Sequence, residues 1–124
     1  MTETRSPPAG LRILVVDDEA GLCEVACVWL RAMGHVPVSV QSPAQALERL
    51  AEGFDVLFTD VVMPGPLDGV ALAREALRRS PGIRVLITTG YAQAVIHRTE
   101  PLPGPVLHKP YRKPELAAAL ASLF

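Results

Sequence analysis

Short apolar runs alternate along this chain with longer segments of helical periodicity, and this alternation limits the fold more than any other feature. The runs are rich in Val, Ile and Leu and span residues 11–16, 36–40, 55–59, 84–88 and 106–108. Continuous apolar runs of this length are typical of strands buried on both faces of a parallel sheet. Strands that alternate with helices pair in parallel through right-handed crossovers, with helices on both faces. The sequence therefore predicts an α/β, doubly wound (βα)5 sandwich with a five-stranded parallel sheet.

The segments between these runs carry the signals that begin and end helices. Apolar residues recur at spacings of three and four in the first segment, at Leu22, Val25, Ala26, Trp29, Leu30 and Met33. Gly34 follows where a left-handed helix C-cap would lie. Ser42-Pro43, with Gln45 as a capping-box residue, predicts a second helix that ends by Gly53. Further helices are predicted over residues 69–79, over 92–98 and from Pro114 to the end of the chain.

Length and composition indicate one globular domain and exclude several kinds of partner. A chain of 124 residues can form one core but not a core and a separate output module. Its 49% hydrophobic and 20% charged residues suit a folded protein. A net charge of -1, with no cluster of basic residues, argues against nucleic acid as a partner. No stretch approaches the roughly 18 apolar residues of a membrane span, so we expect no membrane association and a cytoplasmic protein.

The first ten residues differ from the rest of the chain in being polar and proline-bearing. We expect residues 1–10 to form a flexible N-terminal arm and residues 11–124 to form the domain. Met1 and this arm favour a stand-alone protein, which we expect to be a monomer or a weak homodimer. Cys23 and Cys27 lie four apart on one predicted helix, a geometry that does not favour a disulfide. The histidines, His35, His97 and His108, show no metal-ligand spacing and are interpreted as structural or exposed.

Acidic residues follow two of the predicted strands. In an open parallel sheet, ligands bind beyond the carboxyl ends of the strands, where the strand order reverses. A flavodoxin-like order 2-1-3-4-5 makes the first and third strands neighbours, about 4.8 Å apart. Asp17 and Asp18 should then lie close to Asp60. Because clustered carboxylates disfavour full ionisation, a cation is needed, and the oxygen ligands suit Mg²⁺.

Two further polar residues are expected at the same edge of the sheet. Lys109 follows the fifth strand and supplies a positive charge, and Thr89 follows the fourth strand and supplies a hydroxyl. Phosphoryl transfer needs such groups, because its transition state is stabilised mainly by positioning and by cations. We interpret Asp60 as the nucleophile, since the Asp17-Asp18 pair is better used to hold the metal.

These residues stand in short motifs by which the chain, from Leu11 to Phe124, resembles the receiver domains of response regulators in two-component signalling. The motifs, in chain order, are Asp17-Asp18 in VVDDE, Asp60 in FTDVVMPG, Asp68-Gly69, Thr89-Gly90 in LITTGY and Lys109-Pro110 in LHKPY. Each motif alone is weak. All five occur in order at the ends of predicted strands or in the loops that follow, and together they are specific.

The resemblance implies a magnesium site and a phosphorylated aspartate. Asp60 is the expected phosphoacceptor. Asp18 and Asp60 are expected to bind Mg²⁺ directly, and Asp17 to hold a metal-bound water. The main-chain carbonyl of Val62 is expected to complete the protein's share of the ligands.

The resemblance also implies how the phosphoryl group is held and where it comes from. Thr89 is expected to bond a phosphoryl oxygen and Lys109 to pair with the group, with a cis peptide between Lys109 and Pro110. The donor is expected to be a phosphohistidine on a sensor histidine kinase or a histidine phosphotransfer protein. The chain is not expected to be an enzyme beyond its magnesium-dependent self-phosphorylation and autodephosphorylation. Inward movement of Thr89 would alter the face formed by the fourth helix, fifth strand and fifth helix.

The chain departs from the family pattern at several positions. Val106 stands where many receivers have the Tyr or Phe that rotates together with the threonine, so an aromatic readout is not expected. Val62 and Tyr91 lie two residues after Asp60 and Thr89, and we predict that they alter the rate of autodephosphorylation, in a direction the sequence does not give. The loop over residues 63–69 is one residue longer than the commonest form. The chain is similar to receivers attached to hybrid sensor kinases.

Three other functions fit parts of the pattern. A phosphatase of the haloacid dehalogenase kind also uses aspartates at strand ends and magnesium, but it expects an Asp-x-Asp loop after the first strand, where this chain has Asp17-Asp18-Glu19. A flavin-binding module would need a phosphate-binding loop rich in Ser, Thr and Gly there, whereas an acidic loop repels phosphate. A receiver that acts unphosphorylated, as a docking domain, stays open.

Overall fold

A computed structural model describes residues 8–91 and 100–124. This part of the chain contains five strands: β1 (Arg12–Val16), β2 (Val36–Val40), β3 (Val56–Asp60), β4 (Arg84–Thr89) and β5 (Val106–His108). Its helices are α1 (Ala20–Ala32), α2 (Pro43–Arg49), α3 (Gly69–Arg79) and a C-terminal helix (Lys113–Ala121). The helix predicted over residues 92–98 and His97 lie outside the described residues. The predicted α/β alternation is confirmed.

The five strands form one parallel sheet in the order β2-β1-β3-β4-β5. This is the predicted order, so the flavodoxin-like doubly wound fold is confirmed. Val16 pairs with Thr59, and Asp60 pairs with Thr88. The carboxyl ends of β1 and β3 are therefore adjacent. This is the arrangement that the predicted proximity of Asp17 and Asp18 to Asp60 depends on.

Two hydrophobic cores cover the two faces of the sheet. Successive strand residues point to opposite faces, so one apolar run supplies both cores. The core on the side of α2 and α3 includes Leu14, Leu57, Ile87, Leu72 and Ala76. The core on the side of α1 and the C-terminal helix includes Ile13, Phe58, Leu86, Leu30, Leu116 and Leu120. Burial on both faces explains why the strand sequences are continuously apolar.

The helix ends follow most of the predicted signals. Gly34 and Gly53 adopt φ values of 92° and 86°, a left-handed region that favours glycine. Ser42 Oγ accepts a hydrogen bond from the Gln45 main-chain N–H at 3.2 Å and so caps α2. The capping box is incomplete, because Gln45 Oε1 accepts from the main-chain N–H of Gln41 and not of Ser42. A 3₁₀ turn over Leu50–Glu52 extends α2 to Gly53.

The strand ends differ from the predicted ones by one residue in four places. β1 begins at Arg12, β3 runs from Val56 to Asp60, and β4 extends to Thr89. The extension of β3 follows from the pairing of Asp60 with Thr88, a contact that the local sequence does not encode. Both functional candidates are thus the last residues of their strands.

The remaining structural expectations concern thiols, histidines and membranes. Cys23 and Cys27 are buried free thiols. His35 is buried and its Nδ1 accepts a hydrogen bond from the Leu11 main-chain N–H at 3.2 Å, whereas His108 is exposed. Among the helices of residues 8–91 and 100–124, none is long and apolar enough to span a membrane.

Candidate functional site

Three carboxylates meet at the carboxyl ends of β1 and β3. One carboxylate oxygen from each of Asp17, Asp18 and Asp60 lies within 4.8 Å of the others. Asp17 and Asp60 are buried, and Asp18 is exposed. The arrangement follows from the sheet order, which makes β1 and β3 neighbours. Its oxygen ligands are those that a hard divalent cation binds.

Lys109 brings a cation into contact with this cluster. Its Nζ donates hydrogen bonds to Asp17 Oδ2 at 2.8 Å and to Asp60 Oδ2 at 3.0 Å. Burial alone would lower the pKa of Lys109, but the hydrogen bonds to Asp17 and Asp60 outweigh it, and the pKa is raised. The sequence predicts a positive charge from Lys109 at this edge of the sheet, and the structure shows that this charge is shared between two carboxylates.

Burial makes the charged form of Asp60 more costly than it is in water. Burial raises the pKa of Asp60, and the hydrogen bond and charge of Lys109 oppose this without cancelling it. The main-chain N–H of Val62 lies 3.4 Å from Asp60 Oδ1, a long contact for a hydrogen bond. Asp60 is therefore a desolvated, basic carboxylate that depends on a neighbouring cation.

Thr89 holds its hydroxyl in a turn with Tyr91. Thr89 is buried, and its Oγ1 accepts a hydrogen bond from the Tyr91 main-chain N–H at 3.0 Å. The same hydroxyl is 3.3 Å from the Tyr91 carbonyl oxygen, to which it can donate. The Thr89 carbonyl accepts from the Lys109 main-chain N–H at 2.9 Å. The threonine and lysine candidates are therefore linked directly through β4 and β5.

Asp68-Gly69 fixes the loop that follows Asp60. Asp68 Oδ1 caps α3 by accepting from the Ala71 main-chain N–H at 2.8 Å. Gly69 donates from its main-chain N–H to the Val61 carbonyl at 2.9 Å. A Cβ on Gly69 would lie 1.7 Å from the Asp60 carbonyl oxygen, so a side chain cannot fit there. The motif had no assigned role in the sequence, and the close approach of backbones supplies one.

The acidic cluster opens into a pocket of about 380 Å³ lined by Asp18, Glu19, Asp60, Val62, Gly90, Tyr91 and Lys109. Val62 and Tyr91 are exposed at its rim, at 45% and 64%. The predicted metal-binding role of the Val62 carbonyl stays a prediction. Lys109–Pro110 is a cis peptide, as the resemblance implied. Val106 is half-buried, pairs with Ile87 and packs against the core on the α3 side.

Sequence reasoning missed two features near the site. Tyr111 packs edge-to-face against Trp29 and Phe58, a contact between three distant chain segments that no local pattern signals. Thr88 Oγ1 is buried and has no hydrogen-bond partner in the part of the chain that the structure describes. An unusual Thr-Thr pair at the end of an apolar strand was the only available signal for Thr88.

Comparison with known sequences gives one family. The model of the response regulator receiver domain matches residues 13–121. The response regulator receiver protein CpdR of Brucella abortus is 32% identical over 108 residues, which cover 85% of this chain and 89% of CpdR. The phosphate regulon transcriptional regulatory protein PhoB of Klebsiella pneumoniae is 30% identical over 117 residues. That match covers 90% of this chain, which spans only about half of PhoB, 51% of its length.

Solved structures show the same architecture. A response regulator receiver protein from Sinorhizobium medicae superposes with a TM-score of 0.81 at 30% identity, covering 92% of this chain and 94% of that one. The response regulator TrrA of Thermotoga maritima, solved in complex with Mg²⁺ and BeF, gives a TM-score of 0.82 at 24% identity, covering 92% and 99%. At that lower identity the likeness shows the fold alone. Family model, sequence relatives and fold agree, and the chain belongs to the response regulator receiver domain family of two-component signalling.

Proposed function

We propose that this receiver domain accepts a phosphoryl group on Asp60. The observation that carries the proposal is the placement of the buried Asp60 carboxylate within 4.8 Å of two others, with Lys109 Nζ 3.0 Å away. Removing three charged groups partly or fully from water is expensive for stability alone. Such a cost is typical of sites whose charges are used in chemistry. Membership of the family makes phosphoryl transfer the chemistry that fits.

The carboxylates also fit the Mg²⁺ ion that the family implies. Asp17, Asp18 and Asp60 offer hard oxygen ligands, one of them exposed and thus accessible to a partly hydrated ion. In the proposal Asp18 and Asp60 bind the ion directly, Asp17 holds one of its waters, and the Val62 carbonyl adds a ligand. When bound, Mg²⁺ would supply positive charge for the carboxylates and for the phosphoryl oxygens.

The reaction proposed for Asp60 is a displacement at phosphorus. An Asp60 carboxylate oxygen attacks the phosphorus of a phosphohistidine, a new O–P bond forms, and the N–P bond breaks. The imidazole leaves with the electron pair of that bond and takes up a proton. Hydrolysis of the acyl phosphate by water later returns the Asp60 carboxylate and inorganic phosphate.

Lys109 and Thr89 hold the transferred group. Lys109 Nζ, already 3.0 Å from Asp60 Oδ2, pairs with a phosphoryl oxygen. Thr89 exchanges its hydrogen bonds with Tyr91 for one to another phosphoryl oxygen. The exchange moves the end of β4, to which β5 is paired, and so changes the surface that the domain presents to other proteins.

The partners follow from this chemistry. We propose a histidine kinase or a histidine phosphotransfer protein as donor, a second protein as the receiver of the signal, and a cytoplasmic location. The chain would act as a signalling protein, with self-phosphorylation and autodephosphorylation as its only catalysis. It spans about half of PhoB, so DNA binding is not carried over from that relative. The phosphatase and flavin alternatives are not favoured, since the family match covers residues 13–121.

Labelling with acetyl phosphate tests the proposal. We expect Mg²⁺-dependent incorporation of one phosphate into the intact protein, measured by mass spectrometry, and its loss in Asp60→Asn. Asp55→Asn is a matched control, because Asp55 immediately precedes β3 and Asp60 ends it. Incorporation that persists in Asp60→Asn would overturn the assignment of the acceptor. Absence of incorporation from acetyl phosphate and from a phosphohistidine donor would favour a docking domain that acts unphosphorylated.

A further inference from the structure

Tyr111 lies two residues after Lys109, and its ring is held between two other aromatic rings. The ring centroids of Tyr111 and Trp29 are 6.1 Å apart at an interplanar angle of 64°. Those of Tyr111 and Phe58 are 5.9 Å apart at 60°. Both are edge-to-face arrangements, which contribute beyond the apolar area they bury. Since Trp29 belongs to α1 and Phe58 to β3, Tyr111 ties the chain after β5 to two elements at once.

Lys109 needs such an anchor because the strand that precedes it is short. β5 spans three residues, which are half-buried or exposed. The Lys109 main-chain N–H donates to the Thr89 carbonyl at 2.9 Å, and this bond fixes one side of the residue. The long side chain must nevertheless place Nζ within 2.8 Å of Asp17 and 3.0 Å of Asp60. A displacement of the main chain of about 1 Å would be enough to lose one of these bonds.

The face of Tyr111 that is not covered by the core opens on a groove. This groove has a volume of about 410 Å³ and is lined by Leu22, Val25, Trp29, Gly90, Lys109, Pro110 and Tyr111. Without the Tyr111 ring, the groove would extend into the space beside the Lys109 main chain. The chain there would lose the contact of Tyr111 with Trp29 in α1. Trp29 is the other aromatic residue of the groove lining, and it belongs to α1.

We infer that Tyr111 is a positioning residue for Lys109. Its ring, wedged between Trp29 and Phe58, holds the chain after β5 so that Nζ stays between Asp17 and Asp60. The role belongs to the ring, because the contacts that carry it are aromatic. The use of this placement in phosphoryl transfer rests on the proposed function, whereas the placement itself does not.

Chemical labelling of lysine measures the placement directly. Lys109 and Lys113 are the two lysines of the chain, and Lys113 is exposed, so it serves as an internal reference. In the wild type we expect an amine-reactive reagent, followed by peptide mass spectrometry, to modify Lys109 much more slowly than Lys113. Tyr111→Ala should raise the Lys109 to Lys113 ratio at least about tenfold, since each hydrogen bond to a charged group contributes roughly that factor or more.

Two substitutions separate the ring from general destabilisation. Tyr111→Phe keeps the ring and should keep Lys109 protected. Phe54→Ala removes a half-buried aromatic ring next to the opposite end of β3 and should leave the ratio unchanged. If Tyr111→Ala is unfolded by circular dichroism, Tyr111→Leu, which keeps apolar volume without the ring, takes its place. An unchanged ratio in a folded variant that lacks the ring would overturn the inference.

Titration with MgCl₂ gives a second measurement. The direction of the change in Kd distinguishes a loss of positioning from a general loss of structure. Lys109 neutralises the same carboxylates that the ion needs, so a displaced lysine should let Mg²⁺ bind more tightly. We expect Tyr111→Ala to lower the calorimetric Kd at least about threefold, and to have no further effect in a Lys109→Ala background. A merely structural role would raise the Kd in both backgrounds, and that result contradicts the inference.

The positioning role of Tyr111 and the proposed function can be contradicted independently of each other. If Lys109 loses protection in Tyr111→Ala while the wild type takes up no phosphate, the positioning role stands and the phosphoacceptor role falls. If the wild type is phosphorylated on Asp60 but Lys109 stays protected in Tyr111→Ala, the positioning role falls alone.

Discussion

Charged side chains differ in burial and in the contacts they make at the two ends of the β-sheet. At the carboxyl end, Lys109 lies half-buried between Asp17 and Asp60, and its side chain is 17% exposed. At the amino end, Arg12 lies over the ring of Phe54 at 5.0 Å and Arg84 over that of Phe124 at 4.4 Å. The arginines also donate to main-chain carbonyls, those of Glu52 at 3.0 Å and Leu123 at 2.7 Å.

This difference supports the proposal that the carboxyl end serves chemistry and the amino end serves stability. The arginines at the amino end stay in contact with water, and they close the fold over aromatic rings and chain ends at little desolvation cost. At the carboxyl end two carboxylates and an ammonium are taken out of water, which a purely stabilising design would avoid. Substitutions at the carboxyl end should therefore change Mg²⁺ binding as well as stability, whereas substitutions at the amino end should change stability alone.

The largest effect is expected for Gly69→Ala at the carboxyl end. The new Cβ would lie 1.7 Å from the Asp60 carbonyl oxygen, so α3 or the end of β3 must move. We expect a loss of about 3 kcal/mol in the free energy of unfolding, measured with urea, and weaker Mg²⁺ binding. Gly82→Ala, next to the amino end of β4, is the control, because no atom lies within 4 Å of its added Cβ. Equal stabilities of the two variants would show that the backbone contact at Asp60 is not tight.

The second largest effect is expected on removal of the half-buried cation, Lys109. Lys109→Ala leaves Asp17 and Asp60 without their common partner, and we expect a loss of about 3 kcal/mol at neutral pH, less than or equal to that of Gly69→Ala. Saturating Mg²⁺ should restore most of this loss, since the ion supplies the missing charge. Urea unfolding with and without MgCl₂ measures both effects, and Lys113→Ala should behave as wild type. A loss that Mg²⁺ does not restore would contradict the electrostatic explanation.

A smaller effect concerns the pH dependence of folding stability, which should have opposite signs for one group at each end. His35 lies at the amino end, and burial lowers its pKa, so the folded state binds its proton more weakly than the unfolded state. Its contribution to stability is present above the ordinary histidine pKa and is lost as pH falls through the lowered value. Asp60 has the opposite sign: its raised pKa makes the folded state less stable as pH rises from the ordinary aspartate value through the raised one.

Two variants isolate these contributions. Relative to wild type, His35→Gln should become progressively more favourable below about pH 6.5. Asp60→Asn should be more stable than wild type at neutral pH, with an advantage that shrinks toward about pH 4. Urea unfolding across this range gives both difference curves. Parallel curves for a variant and the wild type would show that its group does not titrate differently on folding.

The smallest effect is expected for Arg84→Ala at the amino end. Loss of the contact with Phe124 and of the hydrogen bond to the Leu123 carbonyl should cost about 1 kcal/mol, because exposed cation–π contacts are weak. Phosphate incorporation and Mg²⁺ affinity should not change. A change in either would mean that the two ends of β4 are coupled, and it would contradict the inference that the amino end serves stability alone.

The fold was predictable because its signals are local. Apolar runs, helix caps and glycines such as Gly34 mark the elements, and the parallel alternation leaves few topologies. The meeting of Asp17, Asp18 and Asp60 followed from strand order alone. The ends of β3 and β4 were each missed by one residue, because Asp60 and Thr89 look like loop residues and are paired into the sheet by distant partners.

What could not be predicted depends on side chains far apart in sequence. Lys109 reaches Asp17 across 92 positions and Asp60 across 49, and no periodicity encodes which carboxylates a lysine contacts. The packing of Tyr111 on Trp29 and Phe58 is equally non-local. The sequence could place these residues at one edge of the sheet, but the pairing of Lys109 with both Asp17 and Asp60 is seen only in the structure.

The turn between Thr89 and Tyr91 bears on how often the unphosphorylated protein would adopt the signalling conformation of the proposed switch. The threonine hydroxyl already has hydrogen-bonding partners within its own loop. Leaving them without a replacement would strand a buried polar group, at a cost of about 1 to 3 kcal/mol. In the proposed switch, a movement of Thr89 without a phosphoryl oxygen to bond would therefore carry this cost, and the short loop would make such movements infrequent.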